Sequence, residues 1–172
     1  MSFYRVSSGI YAVVPPQGPR SYLIRGVDGW IMIDGGPPQS VEAILGAVLE
    51  LTSGEEPSYL IATSCAPTSA ASIGDLSSFL RRSKVVSHYP DSMGLRRGEC
   101  MGSSYKPSRV SLELEGRETF LDGVSLFLAK TPTLGAMVVR YMDVLIIGST
   151  IASPLGDRIS YLCNINNCIK VN

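Results

Sequence analysis

Histidine is almost missing from this sequence: its 172 residues include one, His88. Imidazole is the commonest metal ligand and the side chain that titrates near neutrality, so metal chemistry and acid–base chemistry both start short of their usual reagent. An excess of charge is missing too. Fifteen Lys and Arg cancel fifteen Asp and Glu, and no basic block is longer than Arg81-Arg82 or Arg96-Arg97. Nucleic acid and anionic membrane surfaces therefore find no electrostatic footprint. No apolar run reaches the roughly 18 residues a membrane-spanning helix needs. The segment Met1-Ser2-Phe3-Tyr4-Arg5 has no signal-peptide pattern, which predicts a cytoplasmic protein. Repeats of fixed period, low-complexity tracts and a Gly-x-Ser-x-Gly nucleophile elbow are all lacking.

Cysteine is sparse and irregularly placed, at Cys65, Cys100, Cys163 and Cys168. Framework disulfides belong to small exported domains, so free thiols are expected here. The alternative is a short loop closed by Cys163 and Cys168, an arrangement that suits an intracellular protein only from a hyperthermophile-like source.

What the chain does have is apolar surface. Hydrophobic residues make up 45% of it, and the mean hydropathy is +0.18. A length of 172 residues suits one domain, 1–172, with its own core. The apolar surplus either fills that core or covers a subunit contact, which makes a homodimer or another protein the expected partner.

Short β-branched and aromatic runs at 10–14, 21–25 and 30–34 read as antiparallel strands. Asp34 ends the third, before Gly35 and Gly36. Its carboxylate either accepts N–H groups of that turn or belongs to a site. Val41, Ile44, Leu45, Val48 and Leu49 recur at helical spacing as one apolar stripe, with Ser40 as N-cap and Glu42 in the first turn. A buried strand at 59–62 then runs into Thr63-Ser64-Cys65-Ala66-Pro67-Thr68-Ser69 and a helix with Ile73, Leu76 and Leu80 on its buried side. A loop between strand end and helix start is where α/β folds place their chemistry, yet this one carries small neutral residues. Beyond a strand at 84–89, residues 91–107 read as an irregular Gly- and Ser-rich excursion, a flap or an interface arm, with Arg96 and Arg97 solvated. Strands at 110–114, 124–128, 137–141 and 144–148 make the second half β-rich.

This succession resembles the metallo-β-lactamase fold. In that family a strand ends in Asp-Gly, here Asp34-Gly35; the next strand enters a Thr-His-x-His-x-Asp-His loop followed by a glycine and a helix. Thr-Pro-Gly-His and an apolar strand ending Gly-Asp come later. The landmarks keep their order from about Tyr22 to Ser149, which implies an α/β, αββα-layered sandwich in compact form. The ligands are exchanged. Ser64 and Ala66 stand at the first two histidine positions, Thr68 at the aspartate, Ser69 at the third histidine, Leu134 at the later histidine and Ser149 at the bridging aspartate. Neutral hydroxyls, a methyl and an isobutyl group do not replace the imidazoles and carboxylates that hold catalytic zinc and lower the pKa of its water. The resemblance thus implies a member with no metal, no cofactor and no family hydrolysis. Leu134 is expected to fill the vanished site and Ala66 to remove bulk there, leaving a small, neutral pocket lined by Ser64, Cys65, Thr68, Ser69 and Ser149.

Three sharper chemistries are weaker readings. Cys65 with His88 is a nucleophile and base only if the two meet. Cys65, Cys100, His88 and Asp34 have the atom types of a metal site without a recognisable ligand spacing. Ser64 or Ser69 as hydrolytic nucleophile lacks the elbow. His88 is expected to be a strand residue satisfied by backbone. Two classes of function remain: a non-catalytic interaction or self-associating scaffold protein, and a hydrolase or small-ligand binder that reuses the pocket at 64–69.

Overall fold

A computed structural model of the chain describes residues 2–149 and 159–171. Alternation along the early strands sets the layers. In β3 (Ser21–Arg25) and β4 (Trp30–Ile33), Tyr22, Ile24, Ile31 and Ile33 point into one apolar cluster while Leu23 and Met32 point into another. Both faces of the sheet are therefore covered, as expected of strands that read as continuous apolar runs.

The first sheet joins β1 (Ser2–Ser7), β2 (Ile10–Val14), β3 and β4 as antiparallel neighbours, then β5 (Tyr59–Ile61), β6 (Lys84–His88) and β9 (Leu112–Leu114) in parallel. Parallel neighbours need crossovers. These are α1 (Val41–Leu51) between β4 and β5, α2 (Pro67–Ala70) with α3 (Ile73–Phe79) between β5 and β6, and α4 (Asp91–Arg97) between β6 and β9. A small hairpin of β7 (Glu99–Cys100) and β8 (Ser103–Ser104) follows α4. The second sheet orders β10 (Glu118–Leu121), β11 (Val124–Leu128), β12 (Met137–Tyr141), β13 (Val144–Gly148), β14 (Tyr161–Asn164) and β15 (Cys168–Lys170), with β13 and β14 parallel.

The two sheets meet face to face over Ile24, Ile33, Ile61 and Val86 from one side and Leu126, Val139, Val144 and Ile146 from the other. Helices α1, α3 and α4 cover the far side of the first sheet through Ile44, Val48, Ile73, Leu76 and Leu95. The outer face of the second sheet carries a third cluster around Val138, Leu145, Ile147 and Ile159.

Two expectations change here. Residues 91–107 are anchored rather than irregular. Asp91 opens α4, Arg96 and Arg97 lie in its last turn, and Gly98 closes it in the left-handed region at φ 74°, a normal helix stop. Arg96 is not solvated alone, since its guanidinium donates to the Glu113 carboxylate at 2.8 Å. Arg96 and Ser92 together hold that carboxyl below its usual range, the Ser92 hydrogen bond contributing most. The cysteines are paired, Cys65 with Cys100 and Cys163 with Cys168. Strand pairing brings Cys163 opposite Cys168, and α4 turns the chain back so that β7 meets the loop after β5. Free thiols, expected for want of any export pattern, are thus replaced by two disulfides, and the short loop between Cys163 and Cys168 is the alternative that holds. Among the described residues no helix is long and apolar enough to cross a membrane.

Candidate functional site at the ends of the parallel strands

The C-terminal ends of parallel strands form the rim where open α/β sheets gather ligands. Here β4 delivers Asp34 and β5 delivers residues 63–69. Asp34 sits in the left-handed region at φ 58°, which aspartate tolerates better than most residues. Its N–H donates to Ile61 O, and its carboxylate turns away from its own turn. Thr63 N–H donates to Asp34 Oδ1 at 2.8 Å, and the Thr63 hydroxyl contacts both carboxylate oxygens at 3.0 and 2.8 Å. The expected bonds to the turn at 35–36 are thus replaced by bonds across the sheet. Ser69 Oγ lies 3.2 Å from Thr63 Oγ1, extending the chain of hydroxyls. Burial raises the Asp34 carboxyl from 3.8 to about 7, against the lowering influence of the Thr63 and Ser69 hydrogen bonds.

Asp91 does a second, parallel job. Its carboxylate accepts Cys65 N–H at 2.8 Å, Gly135 N–H at 2.8 Å and the Thr133 hydroxyl. One buried carboxylate therefore joins residue 65 to residues 133–135. Nothing larger than glycine fits at 135, because a Cβ there would lie 2.7 Å from both Asp91 Oδ1 and His88 O. Cys65 is held a second and a third time, by the disulfide to Cys100 and by the Tyr105 hydroxyl donating to its carbonyl at 2.6 Å. Burial and the nearby Asp91 charge push the Tyr105 hydroxyl up to about 12, so it stays a donor.

These bonds bring the sequence-predicted positions to one place. Met137 N–H of β12 donates to Thr63 O at 2.7 Å. Gly148, at φ 56°, approaches so closely that a Cβ would lie 2.7 Å from Thr63 Oγ1 and 3.3 Å from Asp34 Oδ2, which sets Ser149 beside the same loop. Ser64 and Ser69 are buried, as is Ala66, whose N–H donates to Ser64 Oγ at 3.2 Å. Thr68 Oγ1 and Ser149 Oγ are buried atoms without a hydrogen-bond partner among the described residues. Leu134 departs from expectation. It is 68% exposed and fills nothing, because the turn at 133–135 is pinned by Asp91 through its backbone and its side chain is left outside.

The readings that rest on a Cys65 thiolate or on the His88 ring do not survive this geometry. Cys65 is a disulfide sulfur and cannot act as a thiolate. His88 is buried in β6 with Nδ1 2.5 Å from Tyr89 O and Nε2 2.7 Å from Gly116 O, the backbone satisfaction expected of it. Both ring nitrogens are therefore unavailable as base or ligand. Sequence reasoning missed Asp91 altogether, although Pro90-Asp91-Ser92 ahead of Leu95 and Arg96-Arg97-Gly98 is a helix start and stop.

Zinc, the ion held by the ligand motifs of the metallo-β-lactamase fold, does not fit these residues. Among the described residues no three His, Cys, Asp or Glu side chains cluster as a metal site. All four cysteines are oxidised, and the two buried carboxylates near the loop are engaged by N–H and O–H donors. The remaining groups are hydroxyls, poor partners for a borderline-soft cation.

No protein-family model and no curated protein matches the chain. Solved structures do. A metallo-β-lactamase with a HARLDQ motif from Cronobacter sakazakii is 18% identical with a TM-score of 0.75, over 95% of this chain and 80% of that one. The metallo-β-lactamase GOB-18 from Elizabethkingia meningoseptica is 22% identical with a TM-score of 0.70, over 90% and 64%. FEZ-1 from Legionella gormanii is 19% identical with a TM-score of 0.69, over 92% and 69%. Identity this low speaks to architecture and leaves activity aside, and on architecture the sequence order, the layers and these neighbours agree: the chain has the metallo-β-lactamase fold.

Proposed function

We propose that this chain is a metal-independent member of its fold that works by binding another protein surface rather than by hydrolysis. The observation that carries the reading is Asp91. In a metal site the ion ties separate loops together; here the Asp91 carboxylate ties residue 65 to residues 133–135, and Asp34 ties the end of β4 to Thr63. The loops are braced by protein donors, so their placement needs no ion. Catalytic zinc contributes an acidified water and a Lewis acid, and the hydroxyl and hydrocarbon side chains at the six exchanged positions supply neither the ligands nor a substitute base.

A second reading is favoured by the hydroxyls of Thr68 and Ser149. Two buried oxygens without partners at the rim suit a small, neutral, hydrogen-bonding ligand.

Elemental analysis of protein purified without chelator, with ester, thioester and β-lactam turnover measured with and without added zinc, tests the first reading. The expected result is no stoichiometric zinc, iron or manganese and no zinc-dependent turnover. One tightly held ion per chain, or turnover abolished by chelator and restored by zinc, overturns it.

A further inference from the structure

Helix α1 does not bury all of its apolar surface. Ile44, Ala47 and Val48 are its buried residues, and Val41, Leu45 and Leu49, one ridge at i, i+4 and i+8, pack against the same core on one side and stay partly exposed on the other. Across from that ridge Phe79, the last residue of α3, is 66% exposed. Two open clefts of about 530 and 490 Å³ flank this pair, and both are lined by Leu45 and Phe79. Together they form one apolar groove centred on those two side chains.

Its ends differ in charge. Glu42 lines the end near the start of α1, and Arg81 lines the end near Leu49. Both are exposed, and neither forms an ion pair among the described residues. A two-fold axis through Leu45 and Phe79 lays the groove on itself in reverse, so that Glu42 of each protomer meets Arg81 of the other. Self-complementarity under rotation is what an isologous dimer interface requires.

We infer that the α1–α3 groove is the interface of a symmetric homodimer, with Phe79 of each protomer seated in the cleft beside Leu45 of the other. The inference rests on the interaction-protein reading and names its partner, a second copy of this chain.

Sedimentation equilibrium of the full chain tests it, with three variants: Phe79→Glu, Arg81→Glu, and the exchange Glu42→Arg with Arg81→Glu. The wild type is expected to be a dimer. Phe79→Glu is expected to be monomeric with unchanged far-ultraviolet circular dichroism, since the side chain is exposed. Arg81→Glu should weaken association about tenfold, and the exchange should restore it. A monomeric wild type, a dimer indifferent to Phe79→Glu, or an exchange no better than Arg81→Glu alone overturns the proposed interface. A wild-type dimer indifferent to Phe79→Glu removes this face and keeps the interaction reading. Zinc-dependent turnover removes that reading without touching the Phe79 result.

Discussion

Asp34 and Asp91 are both buried, and both act on neighbouring loops. For Asp34 the consequence is a pH dependence. Its carboxyl titrates at about 7 in the folded protein and at about 4 unfolded, so between those values the native state keeps a proton that the unfolded chain has released. Stability therefore falls as pH rises through that window, by up to about 1.4 kcal/mol per unit, and levels off above the folded value. Asp34→Asn copies the protonated form and tolerates the positive φ. It should unfold in urea with a flat profile from pH 5 to 8 and be more stable than wild type at pH 8; a variant that keeps the wild-type slope would show that another group titrates. Asp91→Ala strands Cys65 N–H, Gly135 N–H and the Thr133 hydroxyl at once. A loss on the order of 3 kcal/mol is expected in urea unfolding, with Asp91→Asn also destabilised because its amide NH2 confronts an N–H donor. A loss below about 1 kcal/mol would mean that Asp91 does not brace the two loops.

At the scale of elements, the helix and strand periods of α1, α3 and β2 to β6 were open to reading, because apolar residues repeat there at 3.6 or 2. Helix α4 was not read, since Gly94 and Ser92 look like loop composition. Gly94 is there for packing, since a Cβ on it would lie 3.0 Å from Cys65 Cβ and 2.9 Å from Glu99 O, and Ser92 donates its hydroxyl to the Glu113 carboxylate. The same close approach lets Cys100 reach Cys65. That disulfide closes a 35-residue separation and the one between Cys163 and Cys168 only 5. Loop-closure entropy then predicts a larger loss for Cys65→Ser with Cys100→Ser, about 4 kcal/mol, than for Cys163→Ser with Cys168→Ser, about 2 kcal/mol. Thermal unfolding of the two double variants checks the order, and the reverse order would show that the hairpin at 99–104 adds little to the fold.

For the whole molecule, the central question is whether stability depends on an ion. A ligand that binds only the native state stabilises it in proportion to the logarithm of its excess over Kd, by about 2.7 kcal/mol at a hundredfold excess. With the loops braced by Asp34 and Asp91, Tm should be the same in chelator and in zinc at a moderate excess over protein, as read by differential scanning calorimetry. A rise of several degrees in zinc would reveal a metal site that these residues do not suggest.

Much of the architecture lay in the one-dimensional pattern, because hydrophobic period and Gly or Pro punctuation are local and a strand or helix needs little else to declare itself. Ser64, Ala66, Thr68, Ser69, Leu134 and Ser149 were singled out through the resemblance to the family's ligand motifs, whose order along the chain is itself a one-dimensional pattern. The bonds from Asp34 to Thr63 and from Asp91 to Cys65 and Gly135, the two disulfides and the exposure of Leu134 and Phe79 were decided only in three dimensions. They join or separate residues tens of positions apart, and no local propensity records which distant donor a buried carboxylate will meet.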